Sequence, residues 1–289
     1  MQLSEVIHVD SGLIRNLVVP RLKDSKKGDN GTVLIVGGNR IYHGAPILAS
    51  MAAMRSGADL VYIAVPKSNT IPTRALSPNA IVLPLPDDKL TVGAANRLGT
   101  LLPKKPNSAA IGMGMTISRP EALKRLLKWL GEKGTKVVLD ASALVPAILD
   151  DISGSGVIVT PHPGEYKRMF GEEAGKEEPE QVANIEKMAR RHRITIVLKG
   201  PVNVICDSQK LSVVKRSTPA MTVGGTGDIL SGMVAAFLSK MSPFDACLFG
   251  VYFNGVAASL ACRKLGLHIV ATDIIEELPN ALKEFDVIQ

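Results

Sequence analysis

Thr32-Val33-Leu34-Ile35-Val36-Gly37-Gly38-Asn39, read TVLIVGGN, sets four aliphatic residues directly before two glycines and an asparagine. A short, continuous apolar run closed by turn residues reads as a strand buried on both faces. Gly44-Ala45-Pro46 then opens a helical pattern over Ala45 to Arg55, with proline at an early helical position. One strand, one glycine turn and one helix make the first unit of a parallel sheet.

The unit recurs along the chain. Leu60 to Val65, Ala109 to Gly112, Lys136 to Leu139, Gly156 to Thr160 and Ile194 to Leu198 read as further buried strands, and Pro120 to Leu130, Ser142 to Leu149 and Pro179 to Arg191 as helices between them. The alternation predicts an α/β fold in three layers, α/β/α, with a mostly parallel central sheet. Right-handed crossovers then place the functional loops at the C-terminal ends of the strands. After Leu198, Val202 to Cys206 and Ser212 to Lys215 flank the polar turn Asp207-Ser208-Gln209-Lys210 and read as a late β-hairpin. From Gly224 onward the pattern is almost wholly helical, with breaks at Pro243 and at the Thr272-Asp273 cap signal. No linker, low-complexity tract or fixed-period repeat divides residues 1–289, so a single domain is expected.

Composition narrows the partners. Lysine plus arginine exceed aspartate plus glutamate by 34 to 27, a net charge of +7 that favours anionic ligands. Aromatic residues are 4% and the basic ones are scattered, the densest runs being Lys23 to Lys27 and Arg190 to Arg193; this speaks against nucleic acid and for small anions such as nucleotides. Cys206, Cys247 and Cys262 have no metal-ligand spacing and fit a reducing cytoplasm. The N-terminal stretch carries Glu5 and no continuous apolar core, unlike a signal peptide. Ala246 to Cys262 is uncharged but interrupted by Gly250, Asn254 and Gly255 and is shorter than the ~20 residues of a span, so a core helix and no membrane association are expected.

Chemistry gathers at the predicted strand ends. In Val223 to Gly232 (VGGTGDILSG), Gly224, Gly225 and Gly227 permit close approach of a ligand, and the helix behind them would point backbone N–H groups at an anion. Asp228, in the first turn, reads either as a capping acid that complements the helix dipole or as a base beside a phosphoryl group. Thr160 to Glu165 (TPHPGE) fixes His162 between two prolines, with Glu165 able to cap the next helix or to hold a metal ion through water. Asp140, ending the strand KVVL, is a helix N-cap or a ligand-facing carboxylate. Lys199, in Lys199 to Asn203 (KGPVN), pairs with phosphate or is a solvated charge. No Walker A pattern occurs, and no G-x-G-x-x-G follows a strand and opens a helix.

The ordered set GGN, GAP, GMG, LDASAL, TPHPGE, VLKGPVNVI and GGTGDILSG resembles the ADP- or ATP-dependent NAD(P)H-hydrate dehydratases of the ribokinase-like superfamily, over roughly Val18 to Leu282. The resemblance implies a ribokinase-like fold and repair of hydrated NADH and NADPH: a nucleotide, with ADP the expected donor and ATP the other, phosphorylates the ring hydroxyl of the S epimer, and phosphate leaves. It implies Asp228 as the catalytic base. It places the hydrated dinucleotide against Ala45, Gly112, Gly114, Asp140, His162 and Asp228, and the adenine nucleotide against Lys199, Gly200, Pro201, Val202, Asn203, Gly225, Thr226 and Gly227. Glu165 falls where kinases of this fold organise Mg2+. The family also implies a homotetramer and, since about 17 residues precede the match, a separate epimerase. Three residues depart from the usual pattern: Ser142 stands for a second acid, Thr116 for a glycine and Asn203 for a threonine. The rival reading within the same fold is a small-molecule kinase of a vitamin precursor or pyridoxal, which could use the same anion hole and base.

Overall fold

Ten strands form one sheet in the computed structural model, which describes residues 6–215 and 218–289; Glu5 lies outside them. In chain order they are β1 (Val6–Ile7), β2 (Thr32–Val36), β3 (Leu60–Pro66), β4 (Ile81–Leu85), β5 (Ser108–Ile111), β6 (Lys136–Leu139), β7 (Ile158–Val159), β8 (Thr195–Leu198), β9 (Val202–Cys206) and β10 (Leu211–Lys215). The order across the sheet is β1-β10-β9-β8-β7-β6-β5-β2-β3-β4. β9 alone runs antiparallel to its neighbours, through hairpins with β8 and β10, so the predicted late hairpin is present.

Alternation along β2 explains the three layers. Leu34 and Val36 join a core with Leu98, Leu123 and Leu126 on one face, while Val33 and Ile35 join Ala49, Val234 and Leu238 on the other. All five residues of β2 are buried, as its unbroken apolar run requires. A third cluster, with Phe249, Phe253, Ile274 and Leu278, fills the space among the last helices. Among the described residues one helix, Pro243–Leu265, has the length and hydropathy of a membrane span. It packs against helices Thr226–Leu238 and Ala271–Leu282 with Leu248, Phe253 and Ala257 buried, the core helix that its interrupting polar residues predict.

Several boundaries differ from the sequence reading. Ser142 to Leu149 is not one helix but two 3-10 turns, Ala141–Ala143 and Pro146–Ile148, followed by the short helix Leu149–Ile152. Pro146 is the cause, because it drives Val145 into an extended conformation (φ −127°, ψ 143°) and interrupts the helix. β4 has no counterpart in the predicted strands: Pro84 breaks its pattern, and the sheet tolerates proline there because β4 is an edge.

The strand order reverses between β2 and β5. The sheet runs outward from β2 to β3 and β4 on one side, and from β5 to β6, β7 and β8 on the other. A reversal of this kind opens a crevice at the strands' C-terminal ends.

Candidate active site

The loops that follow β2, β5, β6, β7 and β8 are tied to one another at that edge. Gly38 N–H donates to Met113 C=O (2.8 Å) and Gly112 N–H to Val36 C=O (3.0 Å), joining the first two loops. Ser142 Oγ donates to Gly112 C=O (2.7 Å), joining the third. Gly112 has φ +122°, and a Cβ there would lie 1.9 Å from Asp140 O, so no other residue fits. Lys199 N–H donates to Pro161 C=O (2.8 Å), and its Nζ lies 2.7 Å from Asp140 Oδ1 and 3.7 Å from Glu165 Oε2.

Asp140 is buried and does not cap the turn that follows it. Its second oxygen, Oδ2, accepts from Ser231 Oγ at 2.7 Å, so the carboxylate is held from two sides. Lys199 is likewise no solvated charge, with its side chain 18% exposed. Burial alone would lower the pKa of its ammonium group, but Asp140 and then Glu165 hold it above the ordinary lysine value.

Helix Thr226–Leu238 brings the remaining acid. It starts at Gly225 (φ +98°) without a side-chain cap, and its first backbone bond, from Ile229 N–H to Gly225 C=O, leaves the N–H groups of Thr226, Gly227 and Asp228 without partners in the helix. These point where an anion is stabilised by the helix terminus. Asp228 is partly buried beside Lys199, Asp140 and Glu165. Burial, and next the negative charge of Asp140, pushes its carboxyl up to about 7, against the pull of Lys199. A carboxylate poised there can accept a proton near neutral pH.

On the TPHPGE loop, His162 caps helix Pro163–Phe170. Its Nδ1 accepts from Gly164 N–H (3.0 Å) and Glu165 N–H (3.3 Å), which leaves the ring proton on Nε2, 3.5 Å from Glu165 Oε1. Glu165 returns the bond: its Oε2 accepts His162 N–H at 2.9 Å. The described residues contain no group of three or more His, Cys, Asp or Glu placed to hold a metal. With Oε2 capping, Glu165 offers Oε1, a donor set that suits magnesium keeping most of its water shell and not a fully protein-bound ion.

Other predicted residues are placed less directly. Gly114 packs against the Ala45 helix start and Tyr42: a Cβ on it would lie 3.1 Å from Ala45 Cβ and 2.8 Å from Tyr42 O. Gly200 and Pro201 lie in the β8–β9 turn and Val202 and Asn203 begin β9, where Asn203 Oδ1 accepts from Gly200 N–H (3.4 Å) and its Nδ2 donates to Val214 C=O of β10 (3.3 Å). The side-chain amide of Asn203 thus closes the hairpin. Thr226 Oγ1 donates back to Met221 C=O (3.1 Å), fixing the glycine loop. Thr116 Oγ1 accepts from Asn39 Nδ2 at 3.0 Å.

Two residues that the sequence reading passes over take part. Ser231 follows Asp228 by three positions and so shares its helix face, a usable signal, but its partner Asp140 is 91 residues away. Asn254 donates to Thr226 C=O from the long core helix at 3.4 Å and carries no local sign of that role. A cavity of about 590 Å³ lies elsewhere, lined by Arg21, Met54, Phe237, Lys240, Phe253 and Phe285 among others, and none of the predicted site residues borders it. Chemistry, not cavity size, identifies the site.

The chain is similar to known proteins over most of its length. The sequence profile of the NAD(P)H-hydrate dehydratase family matches residues 33–280. The ADP-dependent (S)-NAD(P)H-hydrate dehydratase of Cenarchaeum symbiosum is 50% identical over 277 residues, covering 96% of each chain. Among solved structures, the ADP/ATP-dependent NAD(P)H-hydrate dehydratase of Bacillus subtilis, co-crystallised with ATP/Mg2+, superposes with a TM-score of 0.79 at 27% identity, covering 94% of this chain and 96% of that one. A ribokinase-like superfamily protein of Enterococcus faecalis gives a TM-score of 0.81 at 24% identity, with 96% of each chain covered, and shares the fold.

Proposed function

This chain belongs to the NAD(P)H-hydrate dehydratase family, and on that premise we propose that it dehydrates the S epimer of hydrated NADH and NADPH with ADP as phosphoryl donor. The observation that carries the reading is Asp228: a carboxyl raised to about 7, at an uncapped helix start, beside the Lys199–Asp140 pair.

In this reading the hydrated ring lies in the crevice among Ala45, Gly112, Gly114, His162 and Asp228. Ionised Asp228 takes the proton of the ring hydroxyl as its oxygen bonds to the terminal phosphorus of ADP and the bridging P–O bond breaks, releasing AMP. The N–H groups of Thr226, Gly227 and Asp228 hold the charge that develops on the transferred phosphoryl group. Phosphate then departs with the C–O bonding electrons, a ring proton is lost, and the double bond of the reduced dinucleotide returns. Lys199, fixed by Asp140, faces the nucleotide phosphates together with the segment Gly200 to Asn203 that leads into β9. Glu165 would meet Mg2+ through Oε1 or a water, and that ion supplies charge neutralisation on the phosphates. A homotetramer in the cytoplasm, functionally linked to an epimerase of the hydrated dinucleotides, completes the proposal.

The test is direct. Purified protein, hydrated NADH, magnesium and either ADP or ATP should restore the near-ultraviolet absorbance of NADH, faster with ADP. Folded protein that restores none with either nucleotide would turn the reading to phosphorylation of a small alcohol.

A further inference from the structure

We infer that Arg168 is a positioning residue of this site, acting through the turn that follows Asp140 and not on the substrate; its effect on turnover rests on the dehydratase reading above. The argument starts from backbone strain. Among the described residues two that are not glycine have positive φ, Ala141 (φ 50°) and Arg193 (φ 49°). Arg193 ends helix Glu178–His192, a place where left-handed residues are common. Ala141 has no such excuse, because it stands at the end of β6, immediately after the carboxylate that holds Lys199 and Ser231.

A side chain bearing Cβ disfavours this conformation, which persists where the surroundings over-determine it. Arg168 supplies that constraint. Its Nη2 donates to Ala141 C=O (2.6 Å) and its Nε to Leu144 C=O (3.1 Å), so one planar guanidinium spans both ends of the turn. Within the turn, Ala143 N–H donates to Asp140 C=O (3.0 Å) and Leu144 N–H to Ala141 C=O (3.2 Å). On the opposite side Ser142 Oγ grips Gly112 C=O, and the backbone oxygen of Asp140 presses on Gly112 where a Cβ would otherwise sit.

Arg168 also belongs to helix Pro163–Phe170, whose first turn carries Glu165 and whose cap is His162. One rigid element therefore presents the TPHPGE residues at its start and, from its last turn, clamps the Asp140 loop. The direction in which Asp140 aims Lys199 is set by the seating of that helix.

The experiment uses the full chain and the variants R168A, R168K and R168A/A141G. We measure kcat, the KM values for ADP and hydrated NADH, and hydrogen exchange at the amides of Ala143 and Leu144 without substrate. R168A should lose on the order of tenfold to a hundredfold in kcat, the scale of a small misplacement of catalytic groups, with KM for ADP raised as Lys199 loses its aim and both amides exchanging faster. R168K, whose single ammonium replaces a two-pronged fork, should fall between. A141G should return most of the lost kcat to R168A, since glycine adopts φ near +50° freely. Wild-type kcat in R168A, unchanged exchange at both amides, or a loss that A141G leaves in place would overturn the inference. If R168A does not fold, R168K and R168K/A141G make the same comparison. If the wild-type protein restores no NADH, the proposed function fails, and the exchange rates still decide what Arg168 does.

Discussion

Two helices point their N-termini into this site, and they are finished in opposite ways. Pro163–Phe170 is closed by its own side chains: His162 takes two first-turn N–H groups and Glu165 takes the N–H of His162. Thr226–Leu238 starts on a glycine with no side-chain cap. A closed start fixes side chains in place, whereas an open one leaves donors for something else to occupy. In the proposed reading, the pair divides the labour of positioning and of anion binding between two loops of the same sheet edge.

Breaking the open start should have the largest effect. Asp228→Asn removes the proton acceptor while keeping the size of the side chain, and kcat should fall by about 10²–10⁴, with ADP binding retained in a calorimetric titration. Near wild-type turnover would remove Asp228 from the role of base. The same variant reports on the strain that the open end tolerates. A carboxyl raised to about 7 in the folded state favours folding fully below its unfolded pKa near 4, and that contribution is lost as pH rises through 7. Relative to wild type, Asp228→Asn should therefore gain stability between pH 4 and pH 8, by a few kcal/mol as an order of magnitude. Melting curves whose separation does not grow over that range would contradict the raised pKa.

A smaller change should follow from the shape of the open start. Gly225→Ala forces a Cβ to within 2.7 Å of Leu48 Cδ1 and 2.8 Å of Ala271 Cβ, at a φ that alanine resists. A loss of about 1–3 kcal/mol is expected, together with weaker ADP binding as the helix start shifts. An unchanged melting temperature would mean that the loop relaxes at no cost. The closed start should respond least. Glu165→Ala should cost about 1 kcal/mol through the lost cap, while Glu165→Gln, which can still accept from His162 N–H, should keep the melting temperature and raise the magnesium needed for turnover. Equal behaviour of the two variants would deny that capping and metal contact are separable functions of this side chain.

How far the sequence could be read depended on the range of the interaction involved. TVLIV and KVVL are legible as strands with their observed bounds because burial on both faces leaves an unbroken apolar run. Ile81–Leu85 escaped because its edge position accepts Pro84, and Ser142 to Leu149 misled because the conformation imposed by Pro146 overrides the propensities around it. In the site, the TPHPGE loop reads as a cap or a metal loop, and its capping role is local enough to be visible from spacing alone. Lys199 was ambiguous because its partner Asp140 lies 59 residues away, and Ser231 was silent because its partner is farther still.

By itself, then, the sequence determined the parallel layered architecture, the sites of glycine turns and the presence of an acid in the first turn of a helix, all properties of short-range pattern and backbone sterics. The tertiary structure alone decided what that acid is able to do. A proton settles near neutral pH on Asp228 because other loops bury it and bring the negative charges of Asp140 and Glu165 to it, against the pull of Lys199. Such long-range fields in a poorly hydrated crevice are absent from any single stretch of chain.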